Sequence, residues 1–225
     1  MGTLTTPALN LREMLARVRG LERRASSDLV RVDFTNLVTN GDFSTTLSPW
    51  LDGSLGTGTA TVNGSNQLEI YRLDSSNVGM AYQEVSTFIG AKYKVTITEV
   101  ADGSSFQAGT TSTASEFYNS SIDAGTSSLS FVTTTTNTFV KIRGVSDATT
   151  STYDDVSIYE ADPSDDAPWL RLPYGFKVGT RGMIVRDGVV LHPSDYTEIT
   201  NAGQTFIKPI TAPGVSTEFS IWAGA

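Results

Sequence analysis

Apolar and polar residues alternate along most of this chain with the two-residue period of strands that bury one face. Tyr93, Val95 and Ile97 alternate with Lys94, Thr96 and Thr98, and Val140 and Ile142 alternate with Lys141 and Arg143. Val156 and Ile158 alternate with Ser157 and Tyr159, while Leu129 and Phe131 alternate less cleanly with Ser130 and Val132. Between these runs stand the turn dipeptides Asn40-Gly41, Asp52-Gly53, Asn63-Gly64 and Asp102-Gly103. Short strands at this spacing predict a mainly β chain with a β-sandwich over residues 34–160.

The first 33 residues follow another period. Asn10 and Glu13 have the spacing of a helix-capping pair. Leu11, Met14, Val18, Leu21 and Ala25 then fall at alternating intervals of three and four, the seam of a coiled coil. Arg17 and Glu22 occupy flanking positions where a parallel neighbour would pair them. Leu15 widens the apolar face, and Gly20 costs about 1 kcal/mol in a helix interior. A seam of about 22 Å is marginal alone, so any assembly needs help from the rest of the chain. The arm self-associates, docks on another protein, or packs on its own domain.

Beyond a polar, Pro-bounded linker at residues 161–170 the pattern changes again. Residues 171–225 read as a small β domain. A strand is expected over Phe176–Val178, and a two-residue hairpin at Asp187-Gly188 between Met183–Arg186 and Val189–Leu191. Further strands are expected over Tyr196–Ile199, Thr205–Lys208 and Glu218–Ala223. Some sixty residues enclose only a small core, so this unit is expected to lean on a neighbour.

Composition narrows the chemistry. The chain has 225 residues, a net charge of −8 and no cysteine, which excludes disulfides and thiolate metal sites. Residues 34–162 hold 14 acidic and 5 basic side chains, a balance that repels nucleic acid. No stretch approaches the roughly 20 apolar residues that span a bilayer, and no leader with a basic start precedes an apolar run, so no membrane insertion is expected. His192 is the sole histidine. No Gly-x-Ser-x-Gly elbow, phosphate loop or dinucleotide fingerprint occurs, and a non-enzymatic role is expected. The acids Glu69, Glu84 and Glu99 fall in or near strands and leave a carboxylate pair open.

Two segments carry a resemblance. Asn36 to Ser44, running on to Trp50, and Tyr153 to Tyr159 resemble the opening and closing strands of jelly-roll carbohydrate-binding modules and of similar domains in phage structural proteins. Ala81 to Gln83 and Gly90 to Tyr93 fall between them in the same order. The C-terminal block, with Val185-Arg-Asp-Gly-Val189, Asp195-Tyr-Thr197 and Ala212-Pro-Gly214, resembles a small β domain of phage fibres. The resemblance implies a jelly-roll sandwich and a virion fibre or decoration protein. It implies assembly as a homotrimer, attachment to other virion proteins through the arm, and adhesion to host-surface glycans. Tyr71, Tyr82 and Tyr118 are then the candidate glycan contacts. No cofactor is required, although such modules often hold a structural calcium. Asp42 and Asp155 are its candidate ligands here, and Ser44 stands where the family usually has an acid. The alternatives are a monomeric carbohydrate-binding module of a secreted protein, and a baseplate or neck adaptor that docks through its N-terminal helix.

Overall fold

The computed structural model describes residues 29–224, apart from 35, 45, 102, 103, 180, 181, 202, 212 and 215. The arm's helix, with Leu11, Met14, Val18, Leu21 and Ala25, lies outside the described residues, as does the Asp102-Gly103 turn. The described chain is mainly β, in antiparallel sheets.

Two five-stranded sheets face each other. The first runs β2 (Leu51–Asp52), β5 (Met80–Ser86), β10 (Asn137–Gly144), β7 (Ser104–Gly109) and β8 (Tyr118–Ile122). The second runs β3 (Thr59–Val62), β4 (Leu68–Arg72), β11 (Thr149–Ala161), β6 (Lys92–Ala101) and β9 (Gly125–Val132). The alternating residues fill the space between them: Tyr93, Val95 and Ile97 from one sheet meet Phe106, Val140 and Ile142 from the other. Each such fully buried aliphatic side chain contributes about 1.5–3 kcal/mol.

The opening and closing segments do lie together. The Asn36 side chain donates to Val156 O and accepts from Ile158 N, both at 2.8 Å. Val156 N donates in turn to Gly41 O at 2.8 Å. Asn40 turns the chain at φ 53°, a left-handed conformation that asparagine tolerates well. Its side chain donates to Ser48 O at 3.0 Å, and its carbonyl accepts from Trp50 Nε1 at 3.2 Å. Phe43 and Trp50 pack in the core with ring centroids 5.7 Å apart.

Two smaller sheets enclose a second core of Leu170, Leu172, Ile184, Ile207, Phe219 and Ile221. One runs β1 (Leu29–Phe34), β17 (Phe219–Gly224), β13 (Met183–Arg186) and β14 (Val189–Val190). The other runs β12 (Leu170–Arg171), β16 (Gln204–Pro209) and β15 (Tyr196–Asn201). Asp187 (φ 50°) and Gly188 (φ 80°) make the primed turn of the β13–β14 hairpin.

Two local readings change. Residues 29–33, read as the end of the arm, are strand: Leu29 to Phe34 pair with Gly224 to Phe219 across nearly the whole chain. Phe176–Val178 lies in none of the strands, because Pro173, Gly175 (φ 84°) and Gly179 (φ 58°) bend the backbone on both sides. Residues 162–169, between β11 and β12, form a tight loop. Asp162 N donates to Ala167 O at 2.9 Å, and Lys208 bridges to Asp162 at 3.0 Å and to Asp165.

Candidate functional site

The strand register sorts the side chains of the first sheet. Ala81, Val85, Val140, Ile142, Phe106 and Ala108 point inward. The residues between them point out. Leu51 stands opposite Tyr82, Tyr82 opposite Lys141, Lys141 opposite Gln107, and Gln107 opposite Asn119, so five side chains cross the outer face in one row. Phe139 and Glu84 form the row on one side, Arg143 and Ser105 the row on the other. Directly opposed residues have Cβ atoms about 4.5–5.5 Å apart, close enough to act together.

Two loops flank this face. On the β2 side, Gly53 lies against Tyr82: a Cβ there would meet Tyr82 Cδ1 at 2.8 Å and Met80 Cε at 2.7 Å. On the β7 side, residues 110–117 fold over Lys141, whose ammonium donates to Ala114 O. Glu116 anchors that loop by accepting from Thr110 N at 2.9 Å, and its bonds to Thr110 hold its carboxyl below the usual range. Burial lowers the Lys141 ammonium from its ordinary value, and the charge of Glu116 partly offsets the effect. Lys141 is 0% exposed and thus serves as a fixed support under the loop.

What stays open is an aromatic pair with polar neighbours. The Tyr82 and Phe139 rings are half-buried, 6.1 Å apart and tilted by 50°. Glu84 and Asn119 are exposed, and Arg143 is half-buried. Gln107 Nε2 donates to Asn119 Oδ1 at 3.2 Å, which fixes the amide side chains in place. Ring faces take the C–H side of a sugar, while amides, carboxylate and guanidinium take its hydroxyls.

The three tyrosines read from the sequence do not form one site. Tyr82 lies on this face. Tyr71 pairs with Thr150 and Thr59 in the other sheet, away from this face. Tyr118 packs on the core, its ring 6.0 Å from Phe106. Phe139, Gln107 and Asn119 belong to the face without any sequence motif that points to them. The Val140/Ile142 alternation places β10's odd-numbered residues outward, but the strands beside β10 are set by long-range pairing.

Asp42 and Asp155 do approach each other. Burial first, then the charges of Asp154 and Asp42, raise the Asp155 carboxyl above its ordinary value. Among the described residues, no group of three or more His, Cys, Asp or Glu is placed to hold a metal. By themselves Asp42 and Asp155 supply fewer than the six to eight oxygens calcium takes. Asp155 also lines a cleft of about 710 Å³ with Thr96, Thr98, Ser157, Asp187 and Thr217, where sandwich and small unit meet. Hydroxyls and acids line it, with no ring to stack a sugar.

The other candidate chemistry is dispersed. His192 caps the turn Pro193–Asp195, its Nδ1 2.8 Å from Ser194 Oγ. Glu99 is buried and accepts from Tyr153 OH and Ser104 Oγ, both at 3.0 Å. Glu69 and Glu84 lie in different sheets. No helix among the described residues is long and apolar enough to cross a membrane.

No protein-family model matches this chain, and no curated protein matches it in sequence. Among solved structures it is similar to the enzymatically active domain of tailspike protein 4 of bacteriophage CBA120, at 13% identity and a TM-score of 0.42. That match covers 56% of this chain and 21% of the tailspike chain, so the protein spans about a fifth of that relative. It is also similar to a family 29 carbohydrate-binding module, at 9% identity and a TM-score of 0.38, over 58% of this chain and 89% of the module. At this level of similarity the likenesses carry no argument about what the chain does.

Proposed function

We propose that this chain is a non-enzymatic, glycan-binding structural protein of a virion, a fibre or decoration component that works as a homotrimer. The observation that carries the binding role is the open outer face of the first sheet. There the Tyr82–Phe139 pair stands among Glu84, Arg143 and Asn119. Inward-facing positions account for the core, so folding alone does not require two rings among polar residues on the water side. The virion assignment rests on the sequence resemblance of the opening, closing and C-terminal motifs. Three weak sites on one particle gain avidity through effective concentration, without any new contact.

The test is a glycan array followed by titration of the best ligand against the whole chain and the Tyr82→Ala and Phe139→Ala variants. Truncating a stacking ring at the centre of a small site is expected to weaken binding at least tenfold. The Tyr71→Ala variant, altered on the other sheet, is expected to bind as the parent does. Glycan binding that survives both substitutions would remove this face from consideration.

A further inference from the structure

Charge as well as rings is ordered along the outer face of the first sheet. Phe139, Lys141 and Arg143 follow one another on the outer side of β10, one row apart. Glu84 stands opposite Phe139 at one end of this file, and Ser105 stands opposite Arg143 at the other. At about 3.3 Å per residue, the rows of Glu84 and Arg143 lie about 13 Å apart. Tyr82 is opposite Lys141, in the row between them. Its diagonal neighbours on β10 are Phe139 and Arg143, each about 7–8 Å away and within reach of an aromatic or a long side chain.

Arg143 is the cation on this face that the fold does not use. Residues 34–162 hold 14 acidic side chains against 5 basic ones, so carboxylates are plentiful there. Arg72 pairs with Asp147 and Lys92 with Asp166. Lys141 supports the 110–117 loop, and Lys94 lies on β6 in the other sheet. Arg143 is half-buried, yet among the described residues it has neither an ion pair nor a hydrogen bond. Ser105, directly opposite, is 3% exposed. Its oxygen accepts from Gln107 Nε2 at 3.4 Å, and its O–H donates to none of the described residues. Burial lowers the Lys141 ammonium, Glu116 partly offsets this, and the charge of Arg143 lowers it further. Glu116, the acid beside Lys141, is tied to Thr110. A half-buried guanidinium without a counter-ion has given up hydration with no compensating bond. Its planar fork matches a carboxylate, which it grips through two parallel hydrogen bonds.

We infer that the glycan taken by this face is an acidic one, bearing a uronic or sialic acid whose ring lies on Tyr82 and whose carboxylate is held by Arg143. Glu84 repels the same carboxylate at the other end of the face. The sugar therefore binds in one direction, its acidic edge toward Arg143 and its hydroxyls toward Glu84. This inference rests on the glycan-binding part of the proposed function and is independent of the virion and trimer parts.

The experiment uses the full chain. An array with uronate-bearing, sialylated and neutral glycans gives the best ligand, and calorimetric titration compares that ligand with its carboxyl-reduced form. The parent is expected to bind the acidic form at least about tenfold more tightly than the reduced one. Arg143→Gln should weaken the acidic ligand at least about tenfold and leave the reduced form as it was, with an unchanged circular dichroism spectrum. Arg143→Lys keeps the charge without the fork and should recover only part of the loss. Tyr82→Ala should weaken both forms alike. A best ligand without a carboxylate, or an acid preference that survives Arg143→Gln, overturns the acidic class. Where Tyr82→Ala still weakens binding in those cases, the glycan face itself stands. Failure of every glycan to bind overturns the face and its ligand class together.

Discussion

At the scale of single residues, Asn36 closes the sandwich. It is 8% exposed, and its amide bonds to two backbone groups of β11, one on each side of Ser157. It also accepts from Val38 N at 3.2 Å, which turns the opening segment toward the core. Removing the amide leaves Val156 O and Ile158 N without this partner in a dry environment, where each orphaned group costs about 1–3 kcal/mol. Asn36→Ala is therefore expected to destabilise the protein by about 2–4 kcal/mol in urea unfolding. Ser44→Ala, on the exposed end of the same motif, should change little. A loss of under about half a kcal/mol for Asn36→Ala would mean that the closing segment is held by packing alone.

At the scale of elements, the 162–167 loop is fastened electrostatically. Bonds from the Ser164 side chain and backbone, then Lys208, hold the Asp162 carboxyl down at about 2. Because the folded value lies below the unfolded 3.8, the clasp contributes its full stability above about pH 4. It loses that contribution as pH falls through the window toward 2. Melting temperature should drop across this window, and Asp162→Asn should flatten that part of the profile while lowering stability at pH 7. An unchanged profile in the variant would assign the acid sensitivity to other carboxylates. Elements differed in how far the sequence foretold them. β6 and the Asp187-Gly188 hairpin were legible because their signals are local: alternation in one, a turn dipeptide in the other. β7 was not, since its alternation is a short run in which only Phe106 and Ala108 are apolar, between Ser105 and Gln107. β1 was hidden because its partner is at the far end of the chain. The candidate face was half legible: Tyr82 could be named, but its neighbour Phe139 depends on β5 lying beside β10.

At the scale of the molecule, the two cores share one strand. β11 gives Tyr153, Val156 and Ile158 to the sandwich core and Tyr159 to the second. Tyr159 OH donates to Gly214 O at 3.0 Å, and burial pushes its phenol up to about 12. Glu160, next along, holds Arg171 in an ion pair, and that guanidinium lies over Phe88 of the sandwich at 4.4 Å and Phe206 of the small unit at 4.8 Å. The small unit thus borrows β1 from one end of the sandwich and Tyr159 from the other. A fragment of residues 163–225 lacks both, and too few apolar residues remain to offset the conformational entropy of ordering it. That fragment is expected to give the narrow amide-proton spectrum of an unfolded chain. A fragment of residues 36–162 keeps every sandwich strand and should fold, melting below the whole chain because Tyr159 and Glu160 lose their partners. Cooperative melting of the 163–225 fragment by itself would show that the small unit stands without the shared strand.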